Sequence, residues 1–129
     1  MRETTTLQKR AVRKALVVED EGEMGLLLNI FIDEGELELD YVKDLLSAQE
    51  YLEQVQPAVI ILDNKLPDGF GVDFISYIKK KYPSMKIIMI SGFSSVRDVA
   101  LENGADVFLE KPFSRDQLYQ ALHDILPIN

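Results

Sequence analysis

The chain has 129 residues, 47% of them hydrophobic, and a net charge of −8, the size and balance of one globular domain able to bury a core. It has no Cys, which excludes disulfides, thiolate metal sites and a Cys nucleophile, and a single His, which argues against a His-rich metal site or a Ser–His triad. No apolar run approaches the roughly 18 residues of a membrane span, and the opening MRETTTLQKRAVRK lacks the apolar core of a secretory signal, so a cytoplasmic protein is expected.

Charge is unevenly spread. Residues 1–14 carry five basic groups against Glu3, whereas the remainder holds 21 acids against 9 bases. A body that acidic repels nucleic acid, so direct nucleic-acid binding is not expected. The basic arm, residues 1–13, reads as a solvated lead-in to a domain spanning 14–129.

Ala15–Val18 reads as a short strand ending in Glu19-Asp20-Glu21. Met24, Leu27, Leu28 and Phe31 then recur on one face of a helix that Gly35 can close. Leu37–Val42 alternates apolar with charged residues, as an outer strand does. Ser47 with Glu50 reads as a capping box opening a second helix, with Tyr51, Leu52 and Val55 inward. The unbroken apolar run Ala58–Leu62 suits a parallel strand buried on both faces, and it ends on Asp63.

A loop with Pro67, Gly69 and Gly71 follows, then a third helix over Val72–Lys81, with Ile75 and Ile78 inward. Its three closing lysines suit the helix dipole, and Pro83 stops it. Lys86–Ile90 is a fourth strand, ending on Ser91. A helix from Ser94 or Ser95 puts Val96, Val99 and Ala100 inward and ends at Gly104. Asp106–Glu110 is a fifth strand, followed by Lys111-Pro112. Ser114 with Gln117 opens a last helix bearing Leu118, Ala121, Leu122 and Ile125, with His123 on its surface. Five strands alternating with five helices imply right-handed crossovers and a parallel sheet covered on both faces.

In such a sheet the carboxyl ends of the strands share one edge, where open α/β folds build their sites. Glu19 and Asp20, Asp63, Ser91 and Lys111 all fall there. Crowded carboxylates resist full ionisation, and a hard divalent cation such as Mg2+ relieves that with oxygen ligands.

Four motifs, VVED (17–20), ILDNKLPDGFG (61–71), IMISG (88–92) and FLEKPF (108–113), resemble the receiver domain of two-component response regulators, over about residues 14 to 126. The resemblance implies a CheY-like, doubly wound α/β fold with strand order 2-1-3-4-5. It implies that Asp63 accepts a phosphoryl group from a sensor histidine kinase or a histidine phosphotransfer protein. Asp20 then binds Mg2+ directly, with Glu19 beside it and the Lys65 carbonyl as a further ligand. Ser91 bonds a phosphoryl oxygen, and Lys111 pairs with the phosphoryl charge ahead of a bond to Pro112 that is usually cis. A switch through Ser91 and Phe108 is implied, reshaping the surface of the fourth helix, fifth strand and fifth helix for a downstream protein target. Lys65 and Phe93 flank the approach of the hydrolytic water.

The chemistry suits the residue types, because positive charge from Mg2+ and an ammonium stabilises a transferring phosphoryl group. Such a domain promotes its own phosphoryl transfer and dephosphorylation without being an enzyme in the turnover sense. Glu19 departs from the Asp many receivers carry, and Phe70 from a frequent Asp or Ser. One rival is a phosphorylation-independent, receiver-like protein-binding module, which would lack a site residue; none is missing. Another is an aspartate-nucleophile phosphatase, which generally has a DxD-type strand end and a cap domain. Here the strand end reads Asp63-Asn64-Lys65. With the last helix ending close to Asn129, either a single-domain regulator or part of a longer one is expected.

Overall fold

The computed structural model describes residues 13–22 and 37–126. The basic arm up to residue 12 and the predicted helix bearing Met24, Leu27, Leu28 and Phe31 lie outside these residues. Five strands, β1 (Arg13–Val18), β2 (Leu37–Val42), β3 (Val59–Asp63), β4 (Lys86–Ser91) and β5 (Val107–Glu110), form one sheet in the order β2-β1-β3-β4-β5. Every pairing is parallel, with Val18 opposite Leu62, Asp63 opposite Ile90 and Ser91 opposite Glu110. Four α-helices are described: α1 (Leu45–Gln54), α2 (Gly71–Lys81), α3 (Arg97–Asn103) and α4 (Arg115–Ile125).

The alternation of side chains along each strand builds two cores. Ala15, Val17, Val59, Ile61, Ile88, Ile90 and Leu109 pack on one face with Leu118, Ala121 and Leu122 of α4. Leu16, Val18, Ile60, Leu62, Ile87, Met89 and Phe108 pack on the other, under α1, α2 and α3. β3 runs between them with all five residues buried, as the apolar run predicts. Truncating Ile60 or Ile61 to Ala would cost about 2–5 kcal/mol, a large share of a typical domain's stability. The strand therefore holds its last residue, Asp63, in a rigid frame.

Local chemistry corrects three expectations. α1 begins at Leu45, not after Ser47: Asp44 is its N-cap and accepts the Ser47 N–H at 2.8 Å. Asp68 adds a second cap from the loop after β3, accepting the Leu45 and Leu46 N–H groups at 2.9 and 3.0 Å. The predicted helix after β4 starts as one 3-10 turn, Ser94–Val96, before α3, and Val99 faces solvent at 48% exposure because Ala100 is the residue turned to the core. Gly104 closes α3 as predicted, in the left-handed region at φ 118°. The Ser114–Gln117 capping box is present with both of its hydrogen bonds.

Candidate functional site

The carboxyl ends of β1, β3, β4 and β5 bring the chemistry-bearing residues to one edge. Asp63, 5% exposed, is held by both oxygens. Oδ1 accepts the Asn64 N–H at 2.8 Å, and Oδ2 lies 3.1 Å from the Lys111 ammonium. Lys111 reaches it from the end of β5, where its N–H is bonded to the Ser91 carbonyl at 2.8 Å. The Lys111–Pro112 peptide bond is cis.

Glu19 follows β1, anchored by its N–H on the Val42 carbonyl at 3.1 Å. Its side chain is buried, and among the described residues its Oε1 is a buried side-chain atom without a hydrogen-bond partner. Burial raises the Glu19 carboxyl above its ordinary range. The Asp63 charge adds to that, while backbone N–H groups of Glu21 and Gly22 and the Lys111 charge oppose it. A buried carboxylate with one oxygen unpartnered, beside a second carboxylate, is a place where added positive charge would be favourable. Asp20, by contrast, is exposed. No group of three or more His, Cys, Asp or Glu is gathered closely enough to hold a metal among the described residues. Mg2+ does not need one, since it commonly binds through one or two carboxylates and keeps several waters. The donor set therefore fits the ion.

A cleft of about 200 Å³ opens over Asp63, lined by Glu21, Lys65, Ser91, Gly92, Phe93 and Lys111. Ser91 is 2% exposed and its Oγ accepts the Phe93 N–H at 3.0 Å, leaving the hydroxyl proton free to donate. Lys65 and Phe93 meet across the mouth, with the ammonium 5.6 Å from the ring centroid. Phe108 stands apart from the cleft, already inside the core at 8% exposure.

Three contributors escape a reading of the sequence alone. Glu21 lines the cleft, although it looks like one acid in a run. Asp68 ties the loop after Asp63 to α1. Asn64, 5% exposed, accepts the Gly71 N–H on its main-chain oxygen at 2.7 Å and the Val72 N–H on Oδ1 at 3.0 Å. The available signal was an amide set directly after Asp63, one residue beyond the apolar run.

The response regulator receiver domain model matches residues 15–123. The chain is 32% identical over 108 residues to the response regulator PilR of Pseudomonas aeruginosa, covering 82% of this chain and 24% of PilR. It is 30% identical over 118 residues to the phosphate regulon regulatory protein PhoB of Escherichia coli, covering 88% of this chain and 52% of PhoB. The chain thus spans about a quarter and about half of these two relatives. The chemotaxis protein CheY of Listeria monocytogenes matches over 84% of this chain and 94% of its own length, at 30% identity. Among solved structures, the beryllofluoride-activated NtrC4 receiver domain superposes with a TM-score of 0.81 at 33% identity, covering 88% of this chain and 96% of that one. The signal receiver domain of a LuxO repressor protein from Vibrio parahaemolyticus gives 0.82 at 27%, covering 91% and 92%. With the model matched over most of its length and its strand-end residues gathered on one edge, the chain belongs to the response regulator receiver domain family.

Proposed function

We propose that this receiver accepts a phosphoryl group on Asp63 from a histidine kinase or a histidine phosphotransfer protein and signals through a protein target. The observation that carries the proposal is a buried Asp63 carboxylate at the floor of a cleft, with one oxygen on the Lys111 ammonium. A buried anion held in one orientation is poised for attack, because its geometry is fixed before the donor arrives. An Asp63 oxygen forms the new P–O bond as the P–N bond of phosphohistidine breaks, and the imidazole leaves with the electron pair. Lys111 balances the phosphoryl charge, and the Ser91 hydroxyl donates to a phosphoryl oxygen.

Asp20, Asp63 and the main-chain carbonyl of Lys65 would hold Mg2+, with Glu19 alongside. The ion supplies positive charge where the phosphoryl oxygens gather it. Drawing Ser91 toward the phosphoryl group changes the space next to Phe108, and a shift of a few kcal/mol between two packings suffices to reshape the surface of α3, β5 and α4. This is signalling chemistry, one phosphoryl group per chain, within a receiver unit spanning 14–129 in the cytoplasm. Among the described residues no helix is long and apolar enough to cross a membrane.

Intact-mass measurement after incubation with acetyl phosphate tests the proposal. One added phosphoryl group is expected with Mg2+ and none after chelation; no addition, or addition indifferent to chelation, would overturn it.

A further inference from the structure

We infer that Asn64 is a positioning residue for the phosphoryl acceptor, acting through the first turn of α2; the inference rests on the receiver reading of Asp63. The first N–H groups of a helix have no partner within it. Phe70, the N-cap of α2, offers no side-chain acceptor. Asn64 replaces it from outside the helix with two oxygens, the main-chain one on the Gly71 N–H and Oδ1 on the Val72 N–H.

The same residue faces the acceptor. Its N–H is shared between the Ile90 carbonyl at 3.1 Å and Asp63 Oδ1 at 2.8 Å. The α2 terminus is pressed onto this point, since a Cβ on Gly71 would collide with the Asp63 carbonyl oxygen. Residue 64 is thus fixed by β4 and by α2, and it fixes one oxygen of Asp63. The loop from Lys65 to Phe70 leaves and returns through this neck, paired Lys65 with Phe70 and Leu66 with Gly69. Asn64 therefore also sets where the Lys65 main chain departs and where its side chain enters the cleft mouth.

The residue type follows from the place. An apolar side chain at this depth would take the acceptor from the part-buried Val72 N–H, which destabilises the helix start. An Asp would cap α2 equally well but would set a second carboxylate next to Asp63, where like charges oppose ionisation. An uncharged acceptor of this length meets both demands.

The test compares the native chain, Asn64→Leu, and Leu52→Ala as a control that lowers stability through the core α1 shares with α2 while leaving the hydrogen bonds of Asn64 in place. Amide exchange at Val72 in Mg2+-free protein should accelerate on the order of 10-fold or more in Asn64→Leu and stay native in the control. With acetyl phosphate and saturating Mg2+, the maximal labelling rate of Asn64→Leu should fall on the order of 10-fold. Its half-saturating donor concentration should stay within about two-fold of native. Should Asn64→Leu not fold, Asn64→Ala is read in the same way. A variant that labels as fast as Leu52→Ala, or keeps Val72 protected, would overturn the positioning role alone. A native chain that takes no phosphoryl group would overturn the receiver reading, and this inference with it.

Discussion

The Lys65 ammonium lies over the Phe93 ring, 5.6 Å from its centroid, across the mouth of the cleft that holds Asp63. Phe93 is 55% exposed, so its ring stands in the solvent at the cleft mouth. An exposed cation–π contact is worth about 0.5–1 kcal/mol, enough to favour this pairing of the two side chains a few-fold but not to lock it. Water attacking an acylphosphate must come in line, and two bulky side chains at the mouth obstruct it without acting as a base. The phosphorylated form should decay slowly. After rapid removal of donor, Lys65→Asn and Phe93→Ala should each speed loss of the phosphoryl group a few-fold; unchanged decay in both would show that the mouth does not control lifetime.

On the proposed reading, Glu19 links Mg2+ binding to stability. Its buried, unpartnered Oε1 is a burden in the metal-free chain, and relieving an unsatisfied buried charge is worth about 1–3 kcal/mol. Glu19→Gln removes that charge while keeping the shape, so without Mg2+ it should raise Tm by roughly 3–5 °C for each kcal/mol recovered, and it should reduce the further rise that Mg2+ produces. Asp20→Asn, which removes the proposed direct ligand, should weaken Mg2+ binding more than Glu19→Gln. Equal losses in a titration followed by calorimetry would mean that the two acids' roles are otherwise.

Ser91 and Phe108 carry the proposed switch. Phe108 is already in the core in this structure, so the expected change is a repacking around the ring and not a long excursion. Ser91→Ala should still accept a phosphoryl group but bind its target with reduced dependence on phosphorylation. Undiminished phospho-dependent binding by that variant would remove Ser91 from the signal path.

Asp68 predicts a pH dependence. Its carboxyl is held below the usual range, first by the Leu45 N–H and then by the Leu46 N–H. A folded-state value below the unfolded one stabilises the fold above the unfolded carboxylate range, and that contribution disappears as pH falls through the folded value. Asp68→Ala should lower Tm near pH 7, and its difference from the native chain should shrink toward zero in acid. A difference independent of pH would show that the capping charge is not responsible.

Much of this architecture is legible in the sequence because it rests on local signals. The apolar run ending at Asp63 marks a buried strand, and Gly104 and Ser114–Gln117 mark helix ends. The missed features are non-local or compete with a stronger local signal. Asp68 caps α1 from 22 and 23 residues away, so no capping pattern near Leu45 includes it. Ser47-Ala48-Gln49-Glu50 resembles a helix start, yet Asp44 and Asp68 together move that start forward by satisfying three N–H groups ahead of it. Val99 fits a helical stripe by spacing but lies on a helix of only seven residues, whose orientation is set by Ala100 and the preceding turn.

Everything rests on the chemistry of Asp63, and the most direct measurement is of phosphoryl incorporation by native chain and Asp63→Asn side by side, with Mg2+ and acetyl phosphate. The native chain should gain one phosphoryl group, lost in alkali and on treatment with hydroxylamine as an acylphosphate is, and Asp63→Asn should gain none while remaining folded. Stoichiometric labelling that survives in Asp63→Asn would contradict the account.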